Sequence, residues 1–121
     1  MNENLISRGE IWRVKFDPQV GAEMKGPHPA VVLSPESLGR PELQIVVPFT
    51  SKGHDYRDLF WMIPVSPSST NGLTKESWAN AFQILCASSD RFSKRLGVLQ
   101  SDKLEDIANA VTLCLGLGFD N

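Results

Sequence analysis

The chain has 121 residues, 41% apolar and 21% charged, which suits one folded domain and excludes both a disordered segment and a two-domain assembly. Its 12 Lys and Arg against 14 Asp and Glu give a formal charge of −2, which argues against a broad nucleic-acid coat but leaves room for a small, focused basic site. No apolar stretch reaches membrane-spanning length, and Met1-Asn2-Glu3-Asn4 has neither the basic nor the apolar character of a leader, so a cytoplasmic protein with no membrane role is expected.

A single domain over residues 1–121 is expected, with residues 1–7 as a flexible, frayed arm. From Glu10 to Phe16 the alternation of Trp12, Val14 and Phe16 with Arg13 and Lys15 has period two and predicts a half-buried strand ending at Asp17-Pro18. Residues 19–29 hold two Gly and two Pro and read as a long functional loop. Two further strands are predicted over Ala30 to Leu33 and Gln44 to Val47. A fourth is expected over Leu59 to Ile63, bounded by Pro64 and the turn Ser66 to Gly72.

Trp78 to Cys86 fits either a strand or a helix by spacing alone. The last element is a helix: Ser101 is the expected N-cap, Asp102 and Glu105 suit its positive end, and Leu104, Ile107, Ala108, Val111, Cys114 and Leu115 form one apolar stripe. Gly116 and Gly118 stop it. Cys86 and Cys114 sit in apolar runs and are expected as buried free thiols. With His28 and His54 they form no metal-ligand spacing, so metal-independent chemistry is expected.

Charge is uneven along the chain. The first half carries Arg8, Arg13, Lys15, Lys25, Arg40, Lys52 and Arg57, whereas Asp102 to Asp106 is mostly acidic. A basic groove with an acidic back and an evenly solvated surface both fit that distribution.

Two segments carry the chemistry. Gly21 to Ser34 and Val46 to Ser51 each set an apolar run beside a polar, Gly- or Pro-punctuated stretch, which predicts His28 and Thr50 at strand ends. Together with Arg8-Gly9-Glu10-Ile11-Trp12 ahead of Phe16-Asp17-Pro18, and Asn71-Gly72-Leu73 ahead of Ser77, they form a series that resembles the MazF/PemK family of bacterial toxins from about Arg8 to Leu117. Those toxins are sequence-specific endoribonucleases.

The resemblance implies a mainly β fold, a small SH3-like barrel of the CcdB/Kid/MazF kind with a C-terminal α-helix, a strand at Trp78 to Cys86, and a homodimer. It also implies a cognate antitoxin as partner and cleavage of single-stranded RNA without a cofactor or metal. Attack by the ribose 2′-hydroxyl on the adjacent phosphate would leave a 2′,3′-cyclic phosphate and a 5′-hydroxyl. Such a route needs a proton acceptor, a proton donor and donors to the transition-state oxygens.

The family pairs an Arg directly before the Pro of the second strand with a Thr at the end of the third. Thr50 matches the Thr, and His28 stands before Pro29 where the Arg would be. An imidazole exchanges protons near neutrality but lacks the permanent charge and fork of a guanidinium. His28 and Thr50 are therefore the candidate catalytic pair, and Lys25, Ser51, Lys52, Glu23 and Phe16 the candidate RNA contacts.

Each has a plainer alternative: a turn histidine, a strand-capping Thr50, a turn-forming Ser51, solvated Lys25, Lys52 and Glu23, and a core Phe16. His54 and Tyr56 are weaker candidates for a base and a stacking ring. Phe82 stands where many relatives are acidic, which points to an altered base preference or to a substrate groove that has partly decayed. The competing function is a non-catalytic module, CcdB-like or binding only an antitoxin or RNA. A barrel with no nucleic-acid role is weaker still.

Overall fold

The computed structural model describes residues 5–17, 20–22, 26–52 and 59–118. Seven strands and one α-helix follow in chain order: β1 (Glu10–Lys15), β2 (Pro27–Val32), β3 (Leu43–Thr50), β4 (Met62–Val65), β5 (Ser77–Asn80), β6 (Leu85–Ser88), β7 (Phe92–Val98) and α1 (Ser101–Cys114). The strands form one antiparallel sheet in the order β4-β5-β3-β2-β1-β7, with β6 also on β3.

β3 is the hub because its length lets it hold three partners. Leu33 N–H donates to the Ile45 carbonyl at 2.8 Å, so odd-numbered residues of β3 face β2 and even-numbered ones face the opposite edge. On that opposite edge Leu43 to Val46 pair with β6, and Phe49 and Thr50 pair with β5. Pro48 falls between the two, with its missing N–H on the edge where one partner ends and the next begins.

Alternation along the strands buries both faces of the sheet. Ile11, Val31, Val47 and Phe49 lie on one face with Ile107, Ala110 and Val111 of α1. Val14, Phe16, Ala30, Val32 and Val46 lie on the other with Ile6 and Ala87. Ile107 is fully buried, and a side chain of that size contributes about 1.5–3 kcal/mol by leaving water. The helix thus covers one face, and the second face is closed from residue 6 to the edge of Phe16.

The sheet curls without closing its hydrogen-bonded ladder: among the described residues β4 and β7 do not pair. The loop after β4 bridges the gap, since Val98 N–H donates to the Thr70 carbonyl at 2.8 Å. The approach is close enough to require glycine on both sides. A Cβ on Gly97 would lie 2.2 Å from the Thr70 oxygen, and one on Gly72 would lie 2.1 Å from the Leu96 oxygen. Buried Asn71 stiffens the same loop, its carbonyl oxygen accepting from Ser68 N–H and Leu73 N–H and its amide donating to Ser66. The mainly β fold with a C-terminal helix is as expected, and the barrel is an open curl.

Glu10 ties the entry of the chain to the sheet. One carboxylate oxygen accepts from Ser7 N–H and Trp12 Nε1, and the other from Arg95 Nε, all at 2.9 Å. Burial alone pushes the Glu10 carboxyl up, but the Trp12 indole, the Ser7 amide and Arg95 together hold it below the ordinary carboxylate value. Ile6 is buried beside this hub. Ile6 and Ser7, within the segment expected to fray, are docked.

Several sequence expectations need correction. The fourth strand lies at Met62–Val65, starting three residues and ending two residues later than expected, and contains Pro64; an edge strand tolerates a proline because one side has no ladder to feed. Trp78 to Cys86 is not one strand but β5 and β6 broken by a 3₁₀ turn at Ala81–Gln83, where Asn80 accepts from Phe82 N–H. β7 was not foreseen. Gln100, not Ser101, occupies the N-cap position of α1. Cys86 is exposed on β6, whereas Cys114 is partly buried and its thiol is pushed up by that burial. Among the described residues no helix is long and apolar enough to cross a membrane.

Candidate active site

β2 joins its two neighbours through alternate residues, and the site lies where one of those two ladders stops. Toward β1, Phe16 N–H donates to the Gly26 carbonyl at 2.9 Å. The register then makes Val14 and His28 a hydrogen-bonded pair, with the His28 backbone facing β1. Toward β3, the bond from Leu33 to Ile45 makes Val31 and Val47 such a pair, and the same register continued by two residues sets Pro29 against Phe49. Pro27 and Pro29 therefore both turn a hydrogen-less nitrogen toward β3. The β2–β3 pairing ends at Ala30 and Pro48.

Beyond that point the continued register puts His28 opposite Thr50. Opposite residues of an antiparallel pair share a face, so both side chains emerge on the face that holds Val14 and Phe16. His28 is partly buried, with Nδ1 3.1 Å from the Phe49 carbonyl oxygen and its ring centroid 6.3 Å from that of Phe16, tilted by 56°. Thr50 is also partly buried, and its hydroxyl oxygen accepts from Lys52 N–H at 3.2 Å. With that lone pair engaged, the Thr50 hydrogen remains available for donation. Ser51 and Lys52 are exposed on the turn that follows.

The segment ahead of His28 is tethered on three sides. Asp17 accepts from Gly26 N–H at 2.9 Å, Arg91 donates to the carbonyls of Lys15 and Asp17, and Gln83 Nε2 donates to the Ala22 carbonyl at 3.4 Å. Arg91 and Gln83 were not singled out from sequence. Their roles are long-range contacts to backbone oxygens, which leave no local pattern.

His28, expected at a strand end, lies inside β2; Thr50 ends β3. Phe16 is 6% exposed, so its ring backs the imidazole and offers no open face to a base. Glu23, Lys25, His54 and Tyr56 lie outside the described residues. Phe82 is 66% exposed, its ring 5.5 Å from that of half-buried Trp61. No three His, Cys, Asp or Glu side chains among the described residues are grouped to hold a metal ion. An apolar cavity of about 330 Å³ opens at the far end of β3, walled by Ile6, Leu38, Leu43, Ile45 and Cys86.

Residues 7–115 match the family of PemK-like, MazF-like toxins of type II toxin–antitoxin systems. The chain belongs to that family. The toxin is 31% identical over 120 residues to endoribonuclease MazF9 of Mycobacterium tuberculosis, covering 93% of this chain and 98% of that one. Its fold is similar to that of MazF from Deinococcus radiodurans, with TM-score 0.78, 23% identity, and 93% and 98% of the two chains covered. An endoribonuclease in complex with its cognate antitoxin from a mycobacterial species also shares the toxin's fold, with TM-score 0.73, 22% identity and 95% and 99% covered.

Proposed function

We propose that this toxin is a sequence-specific endoribonuclease formed by one domain, cutting single-stranded RNA without a metal in the cytoplasm, where a cognate antitoxin restrains it. His28 takes the proton from the ribose 2′-hydroxyl as that oxygen attacks the adjacent phosphorus. The P–O5′ bond breaks, the leaving O5′ takes a proton from solvent water while His28 returns its proton to solvent, and the products carry a 2′,3′-cyclic phosphate and a 5′-hydroxyl. Thr50 donates to a non-bridging phosphate oxygen, whose charge grows in the transition state. Lys52 and Ser51, with Lys25 and Glu23 on the preceding loop, contact the RNA strand. The enzyme works as a homodimer, and the antitoxin competes for the same groove through an acidic, extended segment.

The observation that carries this reading is the placing of His28 and Thr50 on one face, by the β2–β3 register, where that ladder has opened. The name of the MazF9 relative supports the activity. The test is incubation of the protein with mixed-sequence single-stranded RNA in EDTA, followed by end-group analysis. Cyclic-phosphate ends from the wild type, lost in His28→Ala and Thr50→Ala, are expected. Absence of cleavage in every sequence context would favour the CcdB-like binding module, a reading supported by the exposed aromatic ring of Phe82 beside Trp61.

A further inference from the structure

We infer that Pro29 is a positioning residue for His28: by withholding an N–H from the Phe49 carbonyl, it leaves that oxygen to the imidazole and fixes which ring nitrogen is free to accept a proton. Pro29 stands opposite Phe49 at a position where the β2–β3 ladder, by its register from Leu33–Ile45 and Val31–Val47, calls for a backbone hydrogen bond. Any other residue at 29 would donate its N–H there. Proline cannot, and a partly buried carbonyl left without a donor carries an energetic penalty.

His28 Nδ1 fills the gap at 3.1 Å. A carbonyl oxygen only accepts, so in the neutral ring Nδ1 carries the hydrogen and Nε2 holds the free lone pair. The Phe16 ring packs against the same imidazole and limits its rotation. Pro29 thus acts through its neighbour, and the His-Pro dipeptide works as one unit: the proline frees the oxygen that aims the histidine. The tautomer is a property of the free protein. Only its kinetic consequence rests on the proposed RNase reading.

The test is two-bond ¹H–¹⁵N correlation spectroscopy of the full chain labelled at histidine, recorded at a pH where the rings are neutral, with His54→Asn used to assign the His28 signals. The wild type is expected to show His28 with protonated Nδ1 and bare Nε2. Pro29→Ala, which restores the competing N–H, is expected to move the population toward the Nε2–H form and to lower kcat about tenfold with little change in KM. A wild-type His28 protonated at Nε2 would overturn the inference, and so would a folded Pro29→Ala protein with an unshifted tautomer. Should Pro29→Ala not fold, the wild-type spectrum alone decides. A bare Nε2 in a protein that cuts no RNA would uphold this inference and sink the RNase reading instead.

Discussion

The two edges of β2 are built from the same six residues and do different work. Toward β1 the pairing runs unbroken from Ile11 and Val31 to Lys15 and Pro27, whereas toward β3 it stops at Ala30 and Pro48. The difference comes from two prolines whose hydrogen-less nitrogens both point the same way. A proline inside a strand disables only one edge at its own position, so Pro27 and Pro29 open a gap beside β3 without loosening β2 from β1. The gap is where a side chain, His28, replaces a backbone donor.

Under the proposed function that contrast separates catalysis from stability, and substitutions on either side can break it. The largest expected effect is His28→Ala, which should slow RNA cleavage by about a thousandfold while lowering unfolding stability by only about 1–3 kcal/mol, the cost of leaving the Phe49 carbonyl without its side-chain donor. Thr50→Val should slow cleavage about a hundredfold by removing the donor to the phosphate, again with near-native thermal unfolding. Ile107→Ala, on the covered face, should do the reverse: a loss of about 2–5 kcal/mol in urea unfolding, with the cleavage rate of the folded fraction preserved.

Glu10→Gln sharpens the comparison by pH and carries the smallest effect, a loss of about 1.5–3 kcal/mol at neutral pH. The Glu10 carboxyl is held below its ordinary value in the folded protein. Its contribution is therefore full above the ordinary carboxylate range and is lost as pH falls through the folded value. Unfolding free energy measured from neutral to acid pH should fall more steeply in the wild type than in Glu10→Gln. Equal slopes would mean that the bonds from Ser7, Trp12 and Arg95 do not favour the ionised form.

Much of the fold was legible because it obeys simple periods. The alternation from Trp12 to Phe16 and the stripe through Leu104, Ile107 and Val111 each report a buried face directly. β7 was illegible for the opposite reason: Ser93, Lys94 and Arg95 are all exposed, and the strand, itself bulged, is held by backbone pairing to β1. Prolines misled in a consistent direction. Pro64, Pro29 and Pro48 read as boundaries, yet each lies within a strand, because a proline removes one donor and fixes a φ that a strand accommodates.

The site was legible in part. Thr50 and His28 stand out by residue type and by their place beside apolar runs, but their common face depends on the register between β2 and β3, which no local pattern encodes. The Phe49 carbonyl has no side-chain signal at all. Cys86 looked buried from its neighbours Leu85 and Ala87, yet those two face the core and Cys86 between them is exposed, since adjacent residues of a strand point to opposite sides.

The most direct measurement is a paired one on a single preparation of wild type and His28→Ala: the single-turnover rate of RNA cleavage in EDTA and the urea unfolding midpoint. The account expects the rate to fall by about a thousandfold in a protein that still unfolds cooperatively, with its midpoint lowered only by the loss of one hydrogen bond. An unchanged rate, or a rate lost only together with the folded state, would contradict it.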